Sequence, residues 1–203
     1  MKKNKFSKNW VNKQRRDIYV RQSKIEGYRS RAVYKIQEIN DRFKIIKNGM
    51  SVVDLGAAPG SWSQFIASKF KNIKLLSIDL LDMDKIENSY QIKGDFTNIL
   101  EQKKIADFFK EKVDLVLSDM AVNTTGNKNL DSLATGELSM EALNFSAKML
   151  KKEGSFISKI FMGSSFNEIV ATAKSQFKKV KVYKPNASRK DSKESFIVCQ
   201  NLK

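Results

Sequence analysis

The sequence predicts an α/β fold: a seven-stranded, mostly parallel sheet with helices on both faces and the last strand antiparallel. Three observations predict it. Short runs of β-favouring residues alternate with helical stretches along most of the chain. The first such run, "VVDL", ends in the small-residue loop "GAAPGS", as a parallel strand does where a ligand must approach the backbone. The last two runs have only "KPNASRKDSKE" between them and no helical stretch, so they pair antiparallel.

The elements follow in order. Residues 1–28 are polar and basic with scattered aromatics, Phe6, Trp10, Tyr19 and Tyr28, and read as a partly ordered arm. Residues 29–203 read as a single domain. In "YRSRAVYKIQEINDRF", Ala32, Val33, Ile36, Ile39 and Phe43 recur at threes and fours, a helical period. Ser30 is placed to cap that helix, and Asn48-Gly49 ends the region. Strands are expected at 51–55, 74–79, 90–93, 113–118, 154–161, 179–184 and 195–200, and helices at 61–70, 98–111, 136–151 and 164–176. No repeat and no second domain is evident.

Composition narrows the function. A chain of 203 residues with 41% hydrophobic content suits one packed domain. No apolar run approaches bilayer length, and no apolar stretch follows the basic start. The expectation is a cytoplasmic protein with no membrane association. Cys199 is the sole cysteine and histidine is absent, which excludes a disulfide framework and argues against a metal site. Any proton-transferring group must therefore be Lys, Asp, Glu, Tyr or Cys.

Charge is concentrated at two places. Residues 1–31 hold eleven Lys or Arg against Asp17 and Glu26; residues 174–193 hold eight against Asp191. These surpluses of nine and seven account for the whole net charge of +16. A neutral body with two basic segments indicates a polyanionic partner. Neither segment has the clean apolar face that a membrane surface requires.

The loop after the first strand carries Gly56 and Gly60, so a ligand can approach without meeting a Cβ. Asp54, Asp79 and Asp95 each fall at the end of an expected strand. A carboxylate at the place of Asp79 accepts hydrogen bonds from ribose hydroxyls, and Phe96 is available to flank a flat ring. The loop lacks the Lys and Ser/Thr of a phosphate-gripping loop, and carboxylates repel pyrophosphate. S-adenosylmethionine, with a ribose, an adenine, an ammonium and a sulfonium, fits better than NAD or ATP.

Four residues are candidates for chemistry. Asp119 ends the fourth strand, where cofactor and substrate meet. Lys159 in "GSFISKIF" sits between Ile157 and Ile160 inside a strand; burial there disfavours a lone charge and calls for a partner. Lys35 lies among Ile36 and Ile39 on the early helix, and Glu194 opens the final strand. With histidine absent, Lys159 is suited to handling a proton, either as a neutral amine that accepts it or as a cation that steers its donor.

The chain closely resembles the FtsJ/RrmJ-type ribosomal RNA 2′-O-methyltransferases. The resemblance rests on "SRAVYK", "VVDLGAAPGSW", "LLSIDLLDMD", "IKGDF", "DLVLSDMAVNTTG", "GSFISKIF" and "KVKVYKPNASRKDSKESFIV", in that order along nearly the whole chain after the arm. One departure is Ser61, where many members carry a third glycine. The resemblance implies the Rossmann-like class I S-adenosylmethionine-dependent fold, transfer of a methyl group to a ribose 2′-hydroxyl, and S-adenosylhomocysteine as product, with no metal. It implies a Lys-Asp-Lys-Glu tetrad at Lys35, Asp119, Lys159 and Glu194. It also implies cofactor contacts at Gly60, Trp62, Asp79, Asp95 and Asp119. The implied substrate is a uridine in the A-loop of 23S rRNA within the large (50S) ribosomal subunit, and the chain is expected to act as a monomer. Relatives acting on tRNA ribose or an mRNA cap share the tetrad, so the tetrad does not separate those alternatives. An RNA-binding protein that kept only the fold is disfavoured by the intact tetrad. A nicotinamide oxidoreductase is disfavoured by the lack of a phosphate-binding glycine pattern.

Overall fold

The structure, a computed structural model, describes residues 16–121 and 128–203, with 128–132 described by backbone alone. The basic residues of 1–15, with Phe6 and Trp10, lie outside the described residues, as does the 122–126 part of the fifth motif.

The first of the described helices, α1 (Ile18–Ile25), falls in the stretch read from sequence as a partly ordered arm. Asp17 caps it, accepting from the backbone N of Tyr19 and Val20 at 3.1 and 3.4 Å. Its anchors are distant in sequence. Tyr19 packs on Tyr34 with ring centroids 5.3 Å apart, and Asp17 pairs with Arg31 and Arg189 at 3.2 and 3.5 Å. Helix α2 (Val33–Phe43) buries Val33, Ile36 and Ile39 and ends at Lys44, whose φ of 51° is left-handed. Ser30 does not cap α2: the helix starts at Val33, and the Ser30 hydroxyl instead accepts from Ala32 N in the preceding turn.

Strand β1 (Ser51–Leu55) leads to α3 (Ser61–Lys69), then β2 (Lys74–Asp79), β3 (Ser89–Lys93), α4 (Ile99–Phe109) and β4 (Val113–Ser118). The second half is α5 (Lys128–Met149), β5 (Leu150–Phe161), α6 (Phe166–Gln176), β6 (Phe177–Tyr183) and β7 (Glu194–Leu202). The sheet order is β3-β2-β1-β4-β5-β7-β6. All pairings from β3 to β5 are parallel; β7 inserts antiparallel to both β5 and β6. The antiparallel last strand was expected. The insertion, which leaves β6 at the edge, could not be read from strand count.

Continuous apolar strands follow from burial on both faces. Val53, Val116 and Phe156 face one core with Phe109, Phe145 and Ile169. Their neighbours Val52, Leu115 and Ile157 face the other with Ile36, Ile39, Trp62 and Phe196. Cys199 lies within the first core, where burial pushes its thiol pKa up. Two junctions are tighter than expected. Helix α5 runs into β5 at Met149–Leu150 without a turn residue between, and α6 runs into β6 at Gln176–Phe177 in the same way. No described helix is long and apolar enough to cross a membrane.

Candidate active site

The loop after β1 requires its glycines. Gly56 has φ 67°, and a Cβ there would lie 2.0 Å from Met120 Cγ. Gly60 has φ 99°, and a Cβ there would lie 2.7 Å from Ile86 Cδ1 and 2.8 Å from Arg29 Nη1. Backbone N–H groups of Gly56 and Ala57 donate to Ile78 O, tying the loop to β2. Arg29 donates to the carbonyls of Pro59, Asp84 and Lys85 at 2.8 to 3.0 Å, stapling the loop to the β2–β3 connection.

Beside this loop lies a cavity of about 580 Å³ lined by Gly56, Asp79, Asp95, Phe96, Asp119 and Met120, among others. Five of the seven residues expected to hold a cofactor therefore share one wall. Asp79 is fixed by Ala58 N and Leu81 N, each donating to its carboxylate at 2.8 Å. Asp95 accepts from Thr97 N and the Thr97 hydroxyl at 2.9 and 2.7 Å. Phe96 is buried edge-on against Phe145.

Gly60 and Trp62 lie elsewhere. Gly60 occupies the N-cap position of α3. The Trp62 indole donates to Ala32 O at 2.8 Å and packs on Phe196, so the ring serves the core between α2 and β7. It borders a small cavity of about 30 Å³ beneath the loop, shared with Asp54 and Asp119. Asp54 is only 1% exposed and accepts from the Ser63 hydroxyl at 2.6 Å, in a hydroxyl chain continued by Ser77 and Ser89. Burial pushes its pKa up to about 7, against the Ser63 hydrogen bond and with help from Asp119 and Asp79.

The four candidates for chemistry converge from four elements. Lys159 Nζ on β5 donates to Asp119 O at 2.6 Å and lies 3.1 Å from Asp119 Oδ1. Lys35 Nζ on α2 lies 3.5 Å from Asp119 Oδ2 and donates to Glu194 Oε2 at 2.8 Å. Both lysines are less than a tenth exposed. Two cations and two anions sum to zero, which is what makes such burial tolerable. Burial opposes the charge on Lys35, but Asp119 and Glu194 outweigh it and hold its pKa above the ordinary lysine value. Burial likewise opposes the charge on Asp119, yet Lys159 and Lys35 hold its pKa below the ordinary carboxylate value.

A second space, a groove of about 420 Å³, is bordered by Lys35, Glu194, Ser30, Arg31 and Arg189. The charged cluster therefore stands between two spaces, with Asp119 lining one and Lys35 and Glu194 the other. Asp119 Oδ1 is buried and forms an ion pair with Lys159 at 3.1 Å without a hydrogen bond. A glycine-bearing loop and the carboxylates of Asp79, Asp95 and Asp119 around one cavity fit a cationic nucleoside such as S-adenosylmethionine.

An open parallel sheet with this loop at the tip of β1, acids at the tips of β2 to β4 and an inserted antiparallel β7 defines a Rossmann-like methyltransferase. Residues 28–202 match the FtsJ-like methyltransferase family, and the chain belongs to it. It is similar to "Ribosomal RNA large subunit methyltransferase E" of Pelagibacter ubique (strain HTCC1062), 64% identical over all of both chains. The protein of the same name from Legionella pneumophila (strain Corby) is 44% identical over 98% of each chain. Among solved structures, a Plasmodium falciparum protein assigned as a ribosomal RNA methyltransferase superposes with a TM-score of 0.77. It is 32% identical, over 86% of this chain and 98% of that one. The fibrillarin/Nop5p complex shares the fold at a TM-score of 0.59 and 17% identity, over 86% of this chain and 85% of that one.

The structure adds residues that sequence reading missed. Arg29, to which sequence reading gave no role, staples the loop after β1; Ser30, expected only as a helix cap, borders the groove; and Met120, adjacent to Asp119, lines the larger cavity. The structure also divides the second basic segment, residues 174–193, into two parts. Lys178 turns to Glu153 and Lys179 pairs with Gln200, at the end of the edge strand β6 remote from Glu194. Only the loop from Lys184 to Lys193 borders the site, with Arg189 in the groove wall.

Proposed function

We propose that this chain methylates the ribose 2′-hydroxyl of a uridine in the A-loop of 23S rRNA, within the large (50S) ribosomal subunit, acting as a cytoplasmic monomer. The names of its full-length relatives support large-subunit rRNA as substrate. The observation that carries the chemistry is the chain of charge contacts Lys159–Asp119–Lys35–Glu194, no link longer than 3.5 Å, set between the cofactor cavity and the groove.

S-adenosylmethionine supplies, when bound, a methyl group activated on a positive sulfur. Asp79 and Asp95 are assigned to its ribose and adenine, and Asp119 to its positive end. The acceptor ribose enters from the groove, where Lys35 and Glu194 hold the hydroxyl. Lys159 takes the hydroxyl proton as a neutral amine, after releasing its own proton to solvent; one of its N–H groups is committed to Asp119 O, which leaves the lone pair and the other N–H for the hydroxyl. With the groups held at bonding distance, alignment supplies much of the acceleration. The reacting 2′-hydroxyl is itself what separates RNA from DNA.

The test is methylation by the purified chain, using S-adenosylmethionine carrying a labelled methyl group and large subunits from cells lacking the modification. The expected outcome is one 2′-O-methyluridine in the A-loop. Label on a base, on another RNA or nowhere overturns the reading.

A further inference from the structure

The loop between β6 and β7 is fastened to the helix that carries Lys35, and the fastening continues into the reactive cluster. Glu38, one turn after Lys35 on α2, accepts from Asn186 N and Ala187 N at 2.7 Å each. Arg31 donates to Ala187 O at 2.5 Å, closing the same loop from the other side. Ala187 is fully buried in the core below. Ser188, 4% exposed, then donates its hydroxyl to Glu194 Oε1 at 2.7 Å, while Glu194 Oε2 accepts from Lys35. The two carboxylate oxygens are thus held from opposite sides, one by the loop and one by the amine.

We propose that Ser188 is a positioning residue for methyl transfer, pinning Glu194 so that its second oxygen stays on Lys35, with Glu38 anchoring the loop that delivers Ser188. A carboxylate with one oxygen released swings about its side-chain torsions. Lys35 then loses a fixed partner without losing the charge. Burial alone does not require the arrangement, because a hydroxyl at this position could bond a backbone carbonyl, as Ser139 and Ser146 do. This inference rests on the methyl-transfer reading of the cluster.

The test is a double-mutant cycle on kcat for RNA methylation, with Ser188→Ala, Glu194→Gln and the pair, alongside Ser188→Thr. Ser188→Ala is expected to lower kcat about tenfold or more. KM for S-adenosylmethionine and the unfolding midpoint should stay near wild type. Ser188→Thr, which keeps the hydroxyl, should restore most of the rate. The pair should be little worse than Glu194→Gln alone, since Ser188 acts only through the Glu194 carboxylate. Additive losses, failure of Thr to rescue, or a wild-type rate in Ser188→Ala overturn the positioning role. A wild-type chain that methylates no RNA overturns the underlying reading instead. Should Ser188→Ala lower stability, Glu38→Gln gives a second arm, with the same kcat-selective loss expected. A loss in KM alone counts against the proposal.

Discussion

Lys35 Nζ lies 2.8 Å from Glu194 Oε2, although 159 positions separate the two residues. The contact exists because β7 enters the sheet beside β5, pairing Glu194 with Phe161 and Phe196 with Lys159. The reactive cluster is therefore closed by the last strand to join the sheet. Removing the central amine should have two separable consequences. Lys35→Met keeps most of the side-chain length but leaves Asp119 and Glu194 buried without that cation. Breaking a buried pair in this way costs about 3–5 kcal/mol, which urea unfolding at neutral pH will report. Methyl transfer should fall below detection. An unchanged unfolding midpoint would mean that the two carboxylates find water or another cation once Lys35 is gone.

Lys159 should be separable from cofactor binding. Its amine touches Asp119, but the cofactor cavity is lined by other residues. Lys159→Ala is expected to lower the rate by at least the 10²–10⁴-fold associated with proton transfer. Binding of S-adenosylhomocysteine by calorimetry should change less than about threefold, well under the 1.4 kcal/mol that a tenfold change represents. Near-normal turnover would remove Lys159 from the chemistry.

Much of this arrangement is legible in the sequence, for a local reason. Strand ends in a parallel sheet all point to one edge, so Asp54, Asp79, Asp95 and Asp119 could be placed together from strand boundaries alone. Lys159 stands out because an ammonium between Ile157 and Ile160 has no place in a buried strand without a partner. What the sequence hides is non-local. Helix α1 is a short polar segment whose stabilising contacts, Arg31 and Arg189, come from elsewhere in the chain. Trp62 reads as a cofactor contact, yet its indole turns to Ala32 O, a partner fixed only by the packing of α2 on α3. Ser188 and Glu38 carry no local signal, since serine and glutamate in such positions are ordinary surface residues.

Three buried groups set the pH response of stability, with signs that differ. Asp119 has a depressed folded pKa, so its contribution is present above the ordinary value of 3.8 and lost as pH falls through the folded one. Lys35 has a raised folded pKa, so its contribution is present below 10.5 and lost as pH rises through the folded value. Asp54 is a carboxylate raised to about 7, so the folded state holds a proton that the unfolded state has released between 3.8 and about 7. Stability must therefore decline across that window as pH rises. Asp54→Asn, which keeps an acceptor for Ser63, should flatten the decline and leave the variant more stable than wild type at pH above about 7. Denaturant midpoints measured across the window decide it; parallel curves for the two proteins would show that Asp54 is ionised when folded.

The division of the second basic segment predicts two classes of lysine. Lys190 and Lys193 are exposed on the loop that borders the groove, whereas Lys178 and Lys179 lie on the edge strand β6. Lys179 is four residues before Tyr183, roughly 13 Å further along the strand, and Lys178 is engaged with Glu153 at 3.9 Å. Lysines on an exposed edge strand also have a different use, since they discourage pairing with another chain. Replacing Lys190 and Lys193 by Gln should weaken binding to an A-loop RNA fragment. It should also lower the slope of log Kd against log salt by about 0.7–0.9 for each phosphate that the variant no longer neutralises. The Lys178→Gln, Lys179→Gln pair should leave that slope within error of wild type and instead raise the tendency to aggregate. Equal slopes for the two double variants would return the whole segment to a single electrostatic surface.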